Sequence, residues 1–189
     1  LRRSSAASDV YKRQELHSFF DAFAGSGRVS HHFRNRYKIV ANDRQSYTKV
    51  ILEAYLQNTK DLSYYQALID GLNAIPLSSW ETTDGWYART YGSATNDGSS
   101  IGEDGKPKPW VDYNARKIDC IRQKIDDRFP EDSIDKSVLL LSLMLGVSRI
   151  SNWMGHQTGY FKDWKKGKLR HLTLELPPIE MSHKFEHIV

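Results

Sequence analysis

The residues best suited to chemistry stand near the start of the chain. Asp21-Ala22-Phe23-Ala24-Gly25-Ser26-Gly27 is followed, after a short gap, by Ile39-Val40-Ala41-Asn42-Asp43. An apolar run, a glycine bend, a short helical stretch and a second apolar run ending on an acid make the opening of a Rossmann-like unit. Glycine lets backbone approach a ligand closely, and a carboxylate at the end of the second strand can accept both hydroxyls of a ribose. The chemistry implied is the binding of an adenosine-containing cofactor. The dinucleotide fingerprint uses a third glycine for helix–strand packing around a pyrophosphate. Ser30 occupies that position here, which argues against NAD. S-adenosylmethionine carries no phosphate and needs only the bend and the ribose carboxylate.

The elements that must position these residues are legible from periodicity. Residues 16–22 read as a buried strand, 28–36 as a short helix and 37–41 as the second strand. Tyr47, Val50, Ile51, Ala54 and Tyr55 share one helical face over 46–56. Leu62, Tyr65, Ile69 and Leu72 do the same over 61–75, where Pro76 is a stop. Between Pro76 and Pro109 the period is lost, although Trp80, Trp86, Tyr87 and Tyr91 argue against simple disorder. Helices are predicted at 111–129, with Ile118, Ile121 and Ile125 aligned, and at 133–151, apolar on most sides and so central. A glycine-punctuated aromatic stretch covers 153–161. A basic run follows over 162–170, and 172–176 alternates weakly, like a strand.

Composition narrows the class. One cysteine, Cys120, excludes an internal disulfide framework and fits a reducing compartment. The apolar run 138–147 is far short of the roughly 20 residues that cross a bilayer, so a soluble, cytoplasmic protein without a membrane partner is the expectation. Residues 4–14 are the peptide that a transposase sequencing-library adaptor encodes, so 1–14 is read as a non-native leader and set aside. The chain has 27 basic and 23 acidic residues. The leader holds Arg2, Arg3, Lys12 and Arg13 against Asp9, which leaves 23 basic and 22 acidic residues in the rest. The overall basic balance therefore says nothing about a nucleic-acid partner, and only local patches can.

Together, 21–27, Asn42-Asp43, the run Asn114-Ala115-Arg116-Lys117-Ile118-Asp119-Cys120-Ile121-Arg122-Gln123-Lys124-Ile125 and Phe161-Lys162-Asp163-Trp164-Lys165-Lys166 resemble the D12 class of adenine-N6 DNA methyltransferases, the Dam-like group. The resemblance covers nearly everything after Glu15. It implies an α/β fold: a partial Rossmann-like class I methyltransferase core with a mostly helical DNA-recognition insertion. The implied division is 15–76 for the first part of the cofactor core, 77–171 for DNA recognition and 172–189 for the return toward the core. Phe23, Gly25 and Gly27 would line an S-adenosylmethionine pocket, with Asp21 at its rim and Asp43 on the ribose. Arg89, Tyr91, Arg122, Lys162, Lys165 and Lys166 would meet double-stranded DNA. A monomer is expected, with a cognate restriction endonuclease as the partner that such a system implies.

The chain departs from the family where the chemistry should occur. The tetrapeptide Asp-Pro-Pro-Tyr, which holds a flipped adenine in that family, is absent; Pro177-Pro178 lies between Leu176 and Ile179. The motif is expected beyond Val189, and the family's glycine- and lysine-containing N-terminal segment before Glu15, so a fragment inactive alone is expected. Two other readings stay open: another class I methyltransferase (cytosine-N4 or small-molecule), or a non-catalytic DNA-binding module. Plainer roles compete for single residues. The 162–170 run is equally a solvated face, and Arg122 equally the partner of an acid on its own helix. His31 and His32 read as surface. His183 and His187 lack a third metal ligand, and Cys120 reads as a small buried apolar group.

Overall fold

The computed structural model describes residues 16–81, 83–93, 98–155, 159–181 and 185–189. The leader at 1–14, His183 and the middle of the aromatic stretch, 156–158, lie outside the described residues. The chain divides into two compact units, 1–59 with 182–189, and 60–181.

In the first unit, β1 (Ser18–Asp21), α1 (Arg28–Phe33), β2 (Lys38–Ala41) and α2 (Ser46–Leu56) follow one another. β1 and β2 pair in parallel, Ser18 opposite Lys38 through Asp21 opposite Ala41. The chain end joins the same sheet: Ile188 N–H donates to Ile39 O at 3.0 Å and Ala41 N–H to Ile188 O at 2.9 Å. β2 thus has a parallel neighbour on each side. Its alternation is strict, with Ile39 and Ala41 buried against Ala24, Leu52 and Leu56, and Phe19, Phe33 and Tyr55 packed around them. Burying Ile39, Leu52 and Leu56 contributes about 1.5–3 kcal/mol each.

The expectation that 16–22 is buried fails. Leu16 and Phe20 are 67% and 63% exposed. Successive strand side chains point to opposite faces, and among the described residues only the Phe19 and Asp21 side of β1 is covered by α1 and α2. His31 also departs from the surface reading, since its ring packs on Tyr55 at 4.8 Å.

The second unit is mostly helical: α3 (Leu62–Asn73), α4 (Leu77–Glu81), α5 (Trp86–Tyr91), α6 (Asp112–Arg128) and α7 (Ile134–Ile150). β3 (Gly92–Ser93) and β4 (Trp110–Val111) form a two-residue parallel pair before α6. The long helices end within two residues of their predicted bounds, ordinary scatter for frayed termini. The predicted stripe of α6 is real: Ile118, Ile121 and Ile125 are buried, as are Tyr65 and Ile69 of α3 and Val138, Leu139 and Leu141 of α7. The stretch after Pro76 is not structureless. α4 and α5 are too short to display a helical period, yet each buries a residue, Trp80 and Ala88.

The strand predicted at 172–176 is corrected too. Its alternation is genuine, with Leu172 and Leu174 buried and Thr173 and Glu175 exposed, but it joins no sheet. It lies extended on helices, whose interior backbone groups are already paired with one another. Side chains therefore complete its hydrogen bonds. Asn114 Oδ1 accepts from Leu172 N–H at 2.8 Å while Asn114 Nδ2 donates to Arg170 O at 2.9 Å. Asn73 grips Leu174 in the same two-handed way, at 2.8 and 2.9 Å. Lys117 Nζ and Ser142 Oγ donate to Leu172 O and Glu175 O at 2.9 and 2.7 Å.

Candidate functional site

β1 delivers the chain to the glycine bend and β2 delivers it to Asp43, side by side because the strands are parallel and in register. Gly25 and Gly27 have φ of 52° and 71°, in the left-handed region that residues with a Cβ seldom adopt. At Gly27 a Cβ would also stand 3.1 Å from Leu52 Cδ2 of α2. The bend is stitched to the end of β2 by Ala24 N–H to Asn42 O at 3.0 Å and Asn42 Nδ2 to Ala22 O at 3.1 Å. Gly25 N–H donates to Asp43 Oδ2, and Gln45 N–H to Asp43 Oδ1, each at 2.9 Å. The Gln45 and then the Gly25 amide hold the Asp43 carboxyl below its ordinary 3.8, so it is ionised at neutral pH. Each carboxylate oxygen keeps a lone pair for a further donor. Beside it is a cavity of about 150 Å³ lined by Ala41, Asn42, Asp43, Lys49, Leu52 and Val189.

Gly25, Gly27 and Asp43 thus share one locus. Asp21 is half-buried, and its Oδ2 accepts the Ser30 hydroxyl at 2.6 Å. The serine in the third-glycine position therefore ties α1 to the end of β1. Phe23 projects from the bend, 91% exposed.

The second unit separates the predicted DNA contacts into two groups. Arg89 Nη1 donates to Asp84 O at 2.9 Å, with Asp84 Oδ2 at 3.5 Å. It lines a cleft of about 390 Å³ with four carboxylates, Asp84, Glu103, Asp104 and Asp112, and two further cations, Lys108 and Arg116. Arg122 Nε meets Asp126 Oδ2 at 2.7 Å, the pairing on its own helix that was the alternative for it. The Tyr91 ring lies 5.2 Å from Trp86 and 5.8 Å from Trp110, in an aromatic cluster. Lys162, Lys165 and Lys166, in contrast, are exposed and have no carboxylate partner among the described residues. Lys165 Nζ sits 4.5 Å over the Phe161 ring. Lys168 is committed elsewhere, donating to Arg149 O at the end of α7 at 2.9 Å.

The profile of the D12 class N6 adenine-specific DNA methyltransferases matches residues 9–185. The chain belongs to that family. The modification methylase LlaI of Lactococcus lactis subsp. lactis is 32% identical over 182 residues, which are 91% of this chain and 27% of that protein. The type II methyltransferase M.NlaIII of Neisseria lactamica is 27% identical over 161 residues, 83% of this chain and 44% of that protein. M.FokI of Planomicrobium okeanokoites is 26% identical over 170 residues, 87% and 26% of the two chains. The chain therefore spans less than half the length of these curated relatives. No solved structure matches it.

In this D12 chain the motif at 114–125 serves the interior. Asn114 and Lys117 hold the 170–175 strap. Burial lowers the Lys117 ammonium below its ordinary 10.5, while its Nζ donates to the Leu172 carbonyl and lies 5.6 Å from the centre of the Trp80 ring. Asp119 reaches across to α5 and accepts two amides of its first turn, Tyr87 N–H at 3.0 Å and Ala88 N–H at 2.8 Å. Arg116 pairs with Asp112 at 2.7 Å and donates to Thr83 O at 2.9 Å. Two organising residues lay outside every sequence expectation: Asn73, and Asn152, fully buried beneath the lysine loop. A lone asparagine at a helix end carries no local signal for such a role. No helix among the described residues is long and apolar enough to cross a membrane.

Proposed function

We propose that this chain is part of an S-adenosylmethionine-dependent DNA adenine-N6 methyltransferase. The first unit holds the methyl donor, and the second meets double-stranded DNA through the loop bearing Lys162, Lys165 and Lys166. The observation that carries the cofactor reading is the 2.9 Å bond between Gly25 N–H and Asp43, beside a cavity with apolar walls. The donor set suits the group: an ionised carboxylate with lone pairs left for ribose hydroxyls, a left-handed bend without side chains, and Ala41, Leu52 and Val189 for a flat heterocycle. When bound, S-adenosylmethionine supplies a sulfonium methyl as electrophile. Asp43 would orient the sugar and Gly25 and Gly27 would admit backbone to close range, while Lys49 borders the same cavity. Direct transfer to the target amine would ask no nucleophile of the protein, and on this reading neither Ser26 nor the buried Cys120 has a covalent role.

The D12 membership and the names of the relatives support DNA as substrate, with a cognate endonuclease as system partner. The unmatched lysines support phosphate contact. Arg89 and Arg122, already neutralised by acids, are weaker candidates for phosphate contact than the lysines. Calorimetric titration of S-adenosylmethionine tests the cofactor reading. Asp43→Ala should weaken binding about a hundredfold, since each hydrogen bond to a charged group is worth about 1.5–3 kcal/mol; unchanged affinity removes the assignment. The chain alone, lacking Asp-Pro-Pro-Tyr, is expected to transfer no labelled methyl to adenine.

A further inference from the structure

We infer that Asn152 is the positioning residue of the lysine loop, setting Lys162, Lys165 and Lys166 in advance for a nucleic-acid phosphate backbone. This rests on the DNA reading above. The loop at 161–166 contains neither helix nor strand, and it carries three exposed lysines against a single acid, Asp163, which forms an ion pair with none of them. Like charges at this spacing drive an unsupported loop to expand and fluctuate. Asn152 opposes that from below. Its Nδ2 donates to Phe161 O and Asp163 O, both at 3.1 Å, and its Oδ1 accepts from Lys165 N–H at 3.2 Å. Its own carbonyl accepts Phe161 N–H at 3.1 Å, and its N–H donates to Pro109 O at 2.9 Å. One buried amide therefore holds the backbone at three alternate residues, 161, 163 and 165.

The 98–101 segment fixes the other side. Ser100 N–H donates to Lys162 O at 2.7 Å, Ser100 Oγ donates to Phe161 O, and Trp164 N–H donates to Gly98 O at 3.2 Å. The backbone polar groups are thus turned inward and used, while the lysine side chains stay exposed. Apolar packing would bury the loop without fixing its register; directed hydrogen bonds set which side chains face out. Ordering completed during folding need not be repeated on binding, and this is how pre-organisation raises affinity.

The test is a duplex-binding titration of the full chain across a salt series, at a temperature where each variant is folded. Asn152→Ala keeps every charge but frees the loop. It should bind about tenfold more weakly at low salt, with the log–log salt slope unchanged. Lys166→Ala should instead lower the slope by about one. Ser100→Ala, a milder change that keeps the inference testable if Asn152→Ala fails to fold, should lose about two- to fivefold at unchanged slope. A purely structural role would lower the melting temperature and leave the folded variant's affinity alone, and that result overturns the inference. A slope that collapses together with the affinity also overturns it, because the loop would then have left the face altogether. A wild-type chain with no salt-dependent binding removes the DNA reading itself, and this failure is distinct because it appears before any variant is made.

Discussion

The glycine bend at 21–27 and the strap at 170–175 are both short irregular segments on which a unit depends, and they are held by opposite means. The bend is fixed by its own backbone conformation and by partners about twenty residues away, at the end of the next strand. The strap has ordinary backbone angles and is fixed by side chains 56 to 101 residues distant in sequence, Asn114 and Asn73. A bend that must stay open to a ligand cannot be filled with side chains, so conformation does the work. A segment lying across helices finds no free backbone partner, so amide side chains take the place of a neighbouring strand.

That contrast predicts where each segment breaks. Asn114→Ala should do the most damage, because it leaves Leu172 N–H buried and unpaired and takes the partner of Arg170 O as well. The expected cost is about 3 kcal/mol in a denaturant melt. A loss within about 0.5 kcal/mol, the range of an ordinary surface change, would mean the strap is held by burial of Leu172 and Leu174 alone. Gly27→Ala comes next, at about 1–2 kcal/mol for the left-handed conformation plus the crowding against Leu52. Gly25→Ala, where a Cβ meets open space, should cost only the conformational part. Equal costs at the two glycines would dissolve the distinction between strain and contact.

A smaller effect is expected from pH. His187 is buried, and its Nδ1 accepts Ile39 N–H at 3.0 Å, joining the chain end to β2. Burial lowers its basicity, and the charges of Arg34 and Lys38 lower it further. The neutral ring is thus the folded form, and the unfolded chain binds the proton more readily. The stabilisation is complete above the ordinary value of 6.5 and drains away as the pH falls below it. Urea midpoints between pH 8 and 5 should show that slope in wild type, and less of it in His187→Phe. The smallest effect belongs to Arg122→Ala, which should change stability by less than about 0.5 kcal/mol, as an exposed i,i+4 pair does. It should also leave the salt slope of DNA binding intact; a slope lowered by about one would return Arg122 to the phosphate contacts.

Legibility followed the range of the interaction. The long helices could be read because burial recurs along their whole length, so α3, α6 and α7 appear within two residues of their predicted bounds. The glycine bend and Asp43 could be read because both signals are local and of fixed spacing. α4 and α5 could not be read, since five or six residues do not complete two turns. The exposure of Phe20 was hidden because an apolar run does not reveal whether a second layer will cover it. The division of the cations was hidden as well. Arg89 and Lys162 are equivalent letters, and only the surrounding fold gives one a carboxylate and leaves the other without.

By itself, the sequence determined the family, the helical periods, the bend and the acid that answers it, because these depend on neighbours within a turn, a strand or a single crossover. Tertiary structure alone decided that Asn73, Asn114 and Asn152 are clamps, that Asp119 belongs to α5, and which lysines remain unmatched. Those roles depend on partners 9 to 101 residues away at no fixed spacing, and a hydrogen bond at 3 Å has no signature in residue order until packing creates it.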